Sequence, residues 1–175
     1  MKYPDRLLIF TGDGKGKTTA ALGMALRAAG HGSGVLIVQF VKSDSSTGEI
    51  AAIGRLPGVE ISQQGRGFIP RAAGAARSAH REAAERALDL AREGLASGRY
   101  GLVILDEICV ALSARLLEVS AVVEVLSKAQ PGACVVLTGR GAPPELLEMA
   151  DTVTEMRCVK HGYRQGIPAQ PGVEY

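Results

Sequence analysis

Apolar positions along this chain fall into short continuous runs, separated by stretches in which they recur every three or four residues. The first run covers residues 7–10 and breaks into a loop rich in Gly and Lys. Residues 17–29 follow, with Leu22, Ala25, Leu26 and Ala29 on one face of a helix. The run "GVLIVQFV" at 34–41 predicts a strand covered on both faces. A short helix and a weaker strand, "GVEIS" at 58–62, come next. Residues 73–96 form a long Ala/Arg/Glu helix whose apolar stripe is Ala84, Ala87, Leu88, Ala91 and Leu95. "YGLVILDEI" (100–108) reads as a buried strand, "VSAVVEVLSKA" (119–129) as a helix and "ACVVLTGR" (133–140) as a strand. "PPELLEMA" (143–150) is a helix able to start at Pro, and "DTVTEM" (151–156) closes the series as a strand. Such alternation predicts βαβ units, giving an α/β fold with a mostly parallel central sheet and helices on both faces. No repeat, linker or change of composition interrupts it, so one domain is expected over residues 1–175, ending in an irregular Gly- and Pro-rich tail from about 159.

The loop after the first strand changes the picture from fold to chemistry. "TGDGKGKTT" fits the phosphate-loop pattern G-x-x-x-x-G-K-[ST] at its last three positions, Gly16, Lys17 and Thr18, although Thr11 stands where the first Gly belongs. Gly12, Gly14 and Gly16 free the backbone so that the amides of Asp13, Lys15 and their neighbours can turn toward phosphate oxygens. The helix N-terminus adds partial positive charge. Lys17 would neutralise the outer phosphates, and the Thr18 hydroxyl, with Thr19 beside it, would meet a magnesium ion. A dinucleotide fingerprint would need Gly where Lys17 stands. "LVILDEI" supplies the usual partner of such a loop, a strand ending in the carboxylates Asp106 and Glu107, which hold Mg²⁺ directly or through water. No catalytic loop of the protein-kinase type is present. Arg66, Arg71 and Arg77 around "GRGFIPRAAGAAR" are candidate lid residues, or else a solvated loop and helix start. From residues alone the reading is a MgATP-binding phosphate-loop domain.

Composition narrows the partners. Apolar residues make up 46% and charged residues 22%, and a net charge of +2 gives no field that argues for nucleic acid. Aromatics are 4% with no Trp, a poor basis for stacking on single strands. Cys109, Cys134 and Cys158 are too far apart for a zinc pattern or a disulfide framework. No run approaches about 18 apolar residues and no leader pattern opens the chain, so no membrane partner and a cytoplasmic location are expected. His80 lies near the stripe of the long helix and reads as structural. His31 suits a helix C-terminus, and His161 in the tail stays open.

Several segments together resemble one family, the corrinoid adenosyltransferases. They are "TGDGKGKTTAALG", "RAAGHG", "VQFVKSDSSTGE", "GRGFI", "VILDEI", "LTGRGAP", "ADTVTEM" and the tail "KHGYRQGIPAQPGVEY", in the family's order over nearly the whole chain. The resemblance implies a RecA-like phosphate-loop fold and two substrates, ATP and a reduced corrinoid (cobalamin or cobyrinic acid a,c-diamide). It also implies the family's chemistry, in which the triphosphate lies reversed in the loop, Co(I) attacks the ribose 5′ carbon, and triphosphate leaves. Lys17 and Glu107 would then be catalytic. Gly12, Asp13, Gly14, Lys15, Gly16, Lys17, Thr18, Thr19, Arg27 and Arg140 would bind ATP, and Thr18, Asp106 and Glu107 would serve Mg²⁺. Phe68 matches the family's corrinoid-facing aromatic, which crowds the lower axial face of cobalt; the residue type alone would equally suit a core aromatic. Pro70 stands where one branch carries Trp, and the first strand begins almost at once, as in a shorter branch. A flavoprotein reductant and a homodimer are further implications. An ordinary ATPase or kinase, or an ATP-binding regulatory module, are the alternatives.

Overall fold

The computed structural model of the chain describes residues 4–70 and 72–173; Arg71, one of the lid candidates, lies outside them. Six strands form one sheet: β1 (Arg6–Thr11), β2 (Val35–Gln39), β3 (Val59–Gln63), β4 (Leu102–Asp106), β5 (Cys134–Thr138) and β6 (Thr152–Glu155). Their order is β3-β2-β4-β5-β1-β6 and every pairing is parallel. β2 and β4 are buried at every position, which is why they read as unbroken apolar runs rather than alternating ones.

The connections are helical: α1 (Lys17–Gly30), α2 (Gly48–Ile53), α3 (Ala75–Ser97), α4 (Ile108–Ser113), α5 (Val119–Leu126) and α6 (Pro144–Met149). They cover both faces. Alternate strand residues such as Ile37, Ile104 and Val136 pack with Ala21 and Ala25 of α1 and Ile53 of α2. The opposite set, including Val38, Leu105 and Leu137, packs with α3, α4, α5 and Leu146 of α6. The stripe of α3 is the expected one, since Ala84, Ala87, Leu88, Ala91 and Leu95 are all buried. In the tail, the described residues form one short 3-10 turn, Gly162–Gln165, capped by His161.

Two details differ from the sequence pattern. The face of α1 is set by Ala21 and Ala25, whose small side chains let the helix lie close to the sheet, while Leu26 stays 59% exposed. The run "YGLVILDEI" does not continue as strand to its end. Strand β4 stops at Asp106, Glu107 turns the chain with φ 64°, and Ile108 opens α4. This left-handed turn, costly for a residue with a side chain, aims Glu107 away from the sheet.

Candidate active site

All the strands end on the same side, so the loop after β1, the carboxylates after β4 and the residues after β2 and β5 meet there. The loop is held from below by Met156, just beyond β6. The Gly14 amide donates to the Met156 carbonyl at 2.6 Å, and the Met156 amide donates to Thr11 O at 2.8 Å. A Cβ on Gly12 or Gly14 would come within 2.6 Å of that same carbonyl, so these positions are glycine because backbone touches backbone. Gly16, with φ 111°, turns the chain into α1.

Lys17, buried at the first position of α1, folds back over the loop. Its Nζ donates to Gly12 O at 2.7 Å and Gly14 O at 2.6 Å. Burial lowers its pKa, and the Glu107 carboxylate opposes that shift. Thr18 points to the sheet, its hydroxyl donating to Asp106 Oδ1 at 2.7 Å. Thr138, at the end of β5 between them, donates its hydroxyl to the same oxygen at 2.7 Å and accepts the Glu107 amide at 2.9 Å. Gln39 Nε2 reaches Asp106 Oδ2 at 3.0 Å, and Gln63 Nε2 donates to Gln39 Oε1 at 2.8 Å. Parallel register puts Gln39 directly beside both Asp106 and Gln63. A carboxylate with no exposed surface is thus wrapped in hydrogen-bond donors, as its charge demands. Lys42 Nζ stands 3.7 Å from Asp106 Oδ2 and 3.1 Å from Glu49 Oε1.

Above this layer lies a cavity of about 860 Å³. Its walls include Lys15, Lys17, Lys42 and Arg140 against Glu49 and Glu107, an excess of positive charge suited to a polyanion. Thr18, Thr19, Leu22, Val110 and Ser113 also line it. Glu107 has a raised pKa, first because it is buried and second because Asp106 is near. Arg140 pairs loosely with Asp13, Nε to Oδ1 3.8 Å.

The donors fit a hard cation. Thr18 Oγ1 and Glu107 are oxygen ligands at the cavity wall, and Asp106 backs the Thr18 hydroxyl. Among the described residues no cluster of three or more His, Cys, Asp or Glu could hold an ion. Such a sparse set suits Mg²⁺, which keeps waters and binds largely through substrate phosphates.

Other candidates fall elsewhere. Arg27 sits in the last turn of α1 and lines neither this cavity nor its neighbour. Phe68 is 88% exposed and so is no core residue. Its loop is tied to the end of β2, with Gln64 N donating to Gln39 O at 3.1 Å and Gly67 N to Val41 O at 2.8 Å. Arg77 is no lid finger: its guanidinium donates to Pro70 O at 3.0 Å and to Ala114 O, clamping the loop to the end of α4. Arg66 is exposed. His80 is buried in α3 and His31 caps α1. Cys109 is buried, its thiol pushed up to about 12 mainly by burial. No single-residue signal gives Gln39, Lys42, Glu49 or Thr138 its role, although all four fall within the segments "VQFVKSDSSTGE" and "LTGRGAP" that carry the family resemblance, and Gln39 is a polar residue inside an apolar run.

Similarity to known proteins agrees with this geometry. A family described as ATP:corrinoid adenosyltransferase BtuR/CobO/CobP matches residues 4–175. A corrinoid adenosyltransferase of Pseudomonas aeruginosa is 44% identical over 170 residues, covering 97% of this chain and 83% of the relative. One from Sinorhizobium is 41% identical over 172 residues, 97% and 79% of the two chains. One from Escherichia coli is 38% identical over 169 residues, 97% and 85%. With the fold, the phosphate loop and this match over residues 4–175 in agreement, the chain belongs to the corrinoid adenosyltransferase family of enzymes.

Proposed function

We propose that this single-domain enzyme transfers the 5′-deoxyadenosyl group of ATP to the Co(I) centre of a reduced corrinoid, cobalamin or cobyrinic acid a,c-diamide, and releases triphosphate. One observation carries the reading: Lys17, Thr18, Glu107 and Arg140 share a single cavity at the strand ends, in a chain matched over residues 4–175 by a family whose description names ATP and corrinoid.

The bond changes are simple. The cobalt electron pair forms a Co–C bond at C5′; the C5′–O bond breaks and its pair remains on the phosphate oxygen. No proton has to move, so the protein's work is charge stabilisation and placement. Lys17 exchanges its two loop carbonyls for phosphate oxygens, the amides from Lys15 to Thr19 serve the same group while that of Gly14 stays on the Met156 carbonyl, and Arg140 closes over it from the end of β5. Held by Thr18 and Glu107, with Asp106 behind the Thr18 hydroxyl, Mg²⁺ would supply further stabilisation of the leaving triphosphate. The triphosphate lies reversed in the loop, leaving C5′ free; Arg27, at the far end of α1 and outside both hollows, has no part in this geometry. Phe68 stands exposed to meet the lower face of the corrinoid. Because Co(I) must be made from Co(II), an electron donor is needed, for which a flavoprotein is the proposed partner. A homodimer in the cytoplasm completes the reading.

The test is an anaerobic reaction of the protein with MgATP and chemically reduced cobalamin. A light-sensitive Co–C spectrum with one triphosphate per turnover is expected. ADP and phosphate would show an ATPase or kinase instead, and tight ATP binding without products a regulatory module.

A further inference from the structure

A second concavity, about 730 Å³, opens beside the first. One wall is the phosphate loop at Asp13 and Lys15, another is Arg140, and the rest is tail: Lys160, His161, Arg164 and Ile167 among others. Four side chains here are cationic against the single carboxylate of Asp13, which already faces Arg140. His161 lines the hollow as well, its Nδ1 accepting the Tyr163 amide at 3.2 Å. The two concavities share Lys15, Arg140 and Val173, so they are contiguous.

Position gives this basic hollow a meaning. Phe68 follows β3, at one edge of the sheet, and the tail follows β6, at the other. The loop and its cavity lie between. A displacement at carbon needs its nucleophile and its leaving group on opposite sides of the reacting atom. With a corrinoid over Phe68, the side left for the departing anion is the side of the tail.

We infer that the tail hollow is a binding site for inorganic triphosphate, which takes the product as it leaves the phosphate loop. This rests on the adenosyl-transfer reading above. Lys15 and Arg140 stand in both hollows, so the anion passes from one set of cations to the next without crossing an uncharged surface. Lys160 and Arg164 line only the second hollow and therefore recognise product without gripping bound ATP.

The probe is sodium tripolyphosphate with Mg²⁺, titrated calorimetrically into the full chain and into a Lys160→Ala/Arg164→Ala variant. Loss of two charge-assisted contacts should weaken triphosphate binding by about tenfold or more, with MgATP affinity changed by less than about twofold. Inhibition of turnover by added triphosphate should weaken in parallel. A Lys160→Glu variant, with its thermal unfolding midpoint measured alongside, should show the same selective loss in a protein that remains folded. Unchanged triphosphate affinity, or equal losses for triphosphate and MgATP, would overturn the inference. The binding arm contains no corrinoid, so a failure of adenosyl transfer would leave its result intact and show separately which of the two readings is wrong.

Discussion

Gln39 donates from Nε2 to Oδ2 of Asp106 at 3.0 Å, in the middle of the sheet, where neither side chain has any exposed surface. The bond fixes which way the carboxylate presents its other oxygen to Thr18. Gln39→Leu would leave a buried charge short of one donor. The variant should lose about 1–3 kcal/mol of stability, seen as a lower urea midpoint. It should also bind MgATP about tenfold more weakly, while metal-free ATP is less affected. Equal losses with and without Mg²⁺ would show that Gln39 does not act through the metal side of the site.

Lys17 is the cation nearest the heart of the loop. Lys17→Ala should reduce turnover by at least about a hundredfold, the usual effect of removing one group that stabilises developing charge. Near-normal rates in the anaerobic assay would contradict its role.

Phe68 touches solvent almost everywhere, so removing its ring should cost the fold little. Phe68→Ala is expected to unfold within about 0.5 kcal/mol of the parent yet to lose about tenfold or more in turnover with Co(II) corrinoid and a reductant. A variant that unfolds earlier but turns over normally would mark Phe68 as structural.

Glu107 gives a pH signature. Its folded pKa lies above the unfolded value because burial disfavours the charge. Between those two values the folded state binds more protons than the unfolded one, so the stability of the ligand-free protein falls as pH rises through that window. Glu107→Gln removes the buried charge and should raise the melting midpoint at pH 7–8 by more than at pH 4–5, while turnover falls. A Gln variant no more stable at neutral pH would show that the charge is not a burden on the fold.

Much of this was legible in the sequence. The buried parallel strands declared themselves as unbroken apolar runs, and the loop as a strand–Gly/Lys–helix junction. What stayed hidden depends on distance across the sheet. Gln39 looks like any satisfied core amide until its partner 67 residues away is in place. Thr138 falls within "LTGRGAP", but nothing in that segment says that its hydroxyl meets Asp106, and the Met156 carbonyl under the loop has no side-chain signature at all. The two local misreadings have local causes. A left-handed turn at Glu107 ends a strand whose apolar run goes on, and alanines rather than leucines set the approach of α1. For Phe68, residue type could not decide between core and surface; exposure did.

The hydrogen bonds that join β3, β2, β4 and β5 at their ends have a consequence for how the protein comes apart. Gln39, Asp106 and Thr138 are fully buried and hold the half-buried Gln63 and Thr18 by hydrogen bonds, so the nucleotide half of the site is tied to the core of the sheet. Phe68 and the tail lie on irregular, largely exposed segments, the first held by a few backbone bonds and the Arg77 clamp rather than by buried side-chain hydrogen bonds. Under rising denaturant, nucleotide binding should vanish only with global unfolding, and corrinoid processing should fail first. A partly stressed population would then still hold ATP but no longer use it.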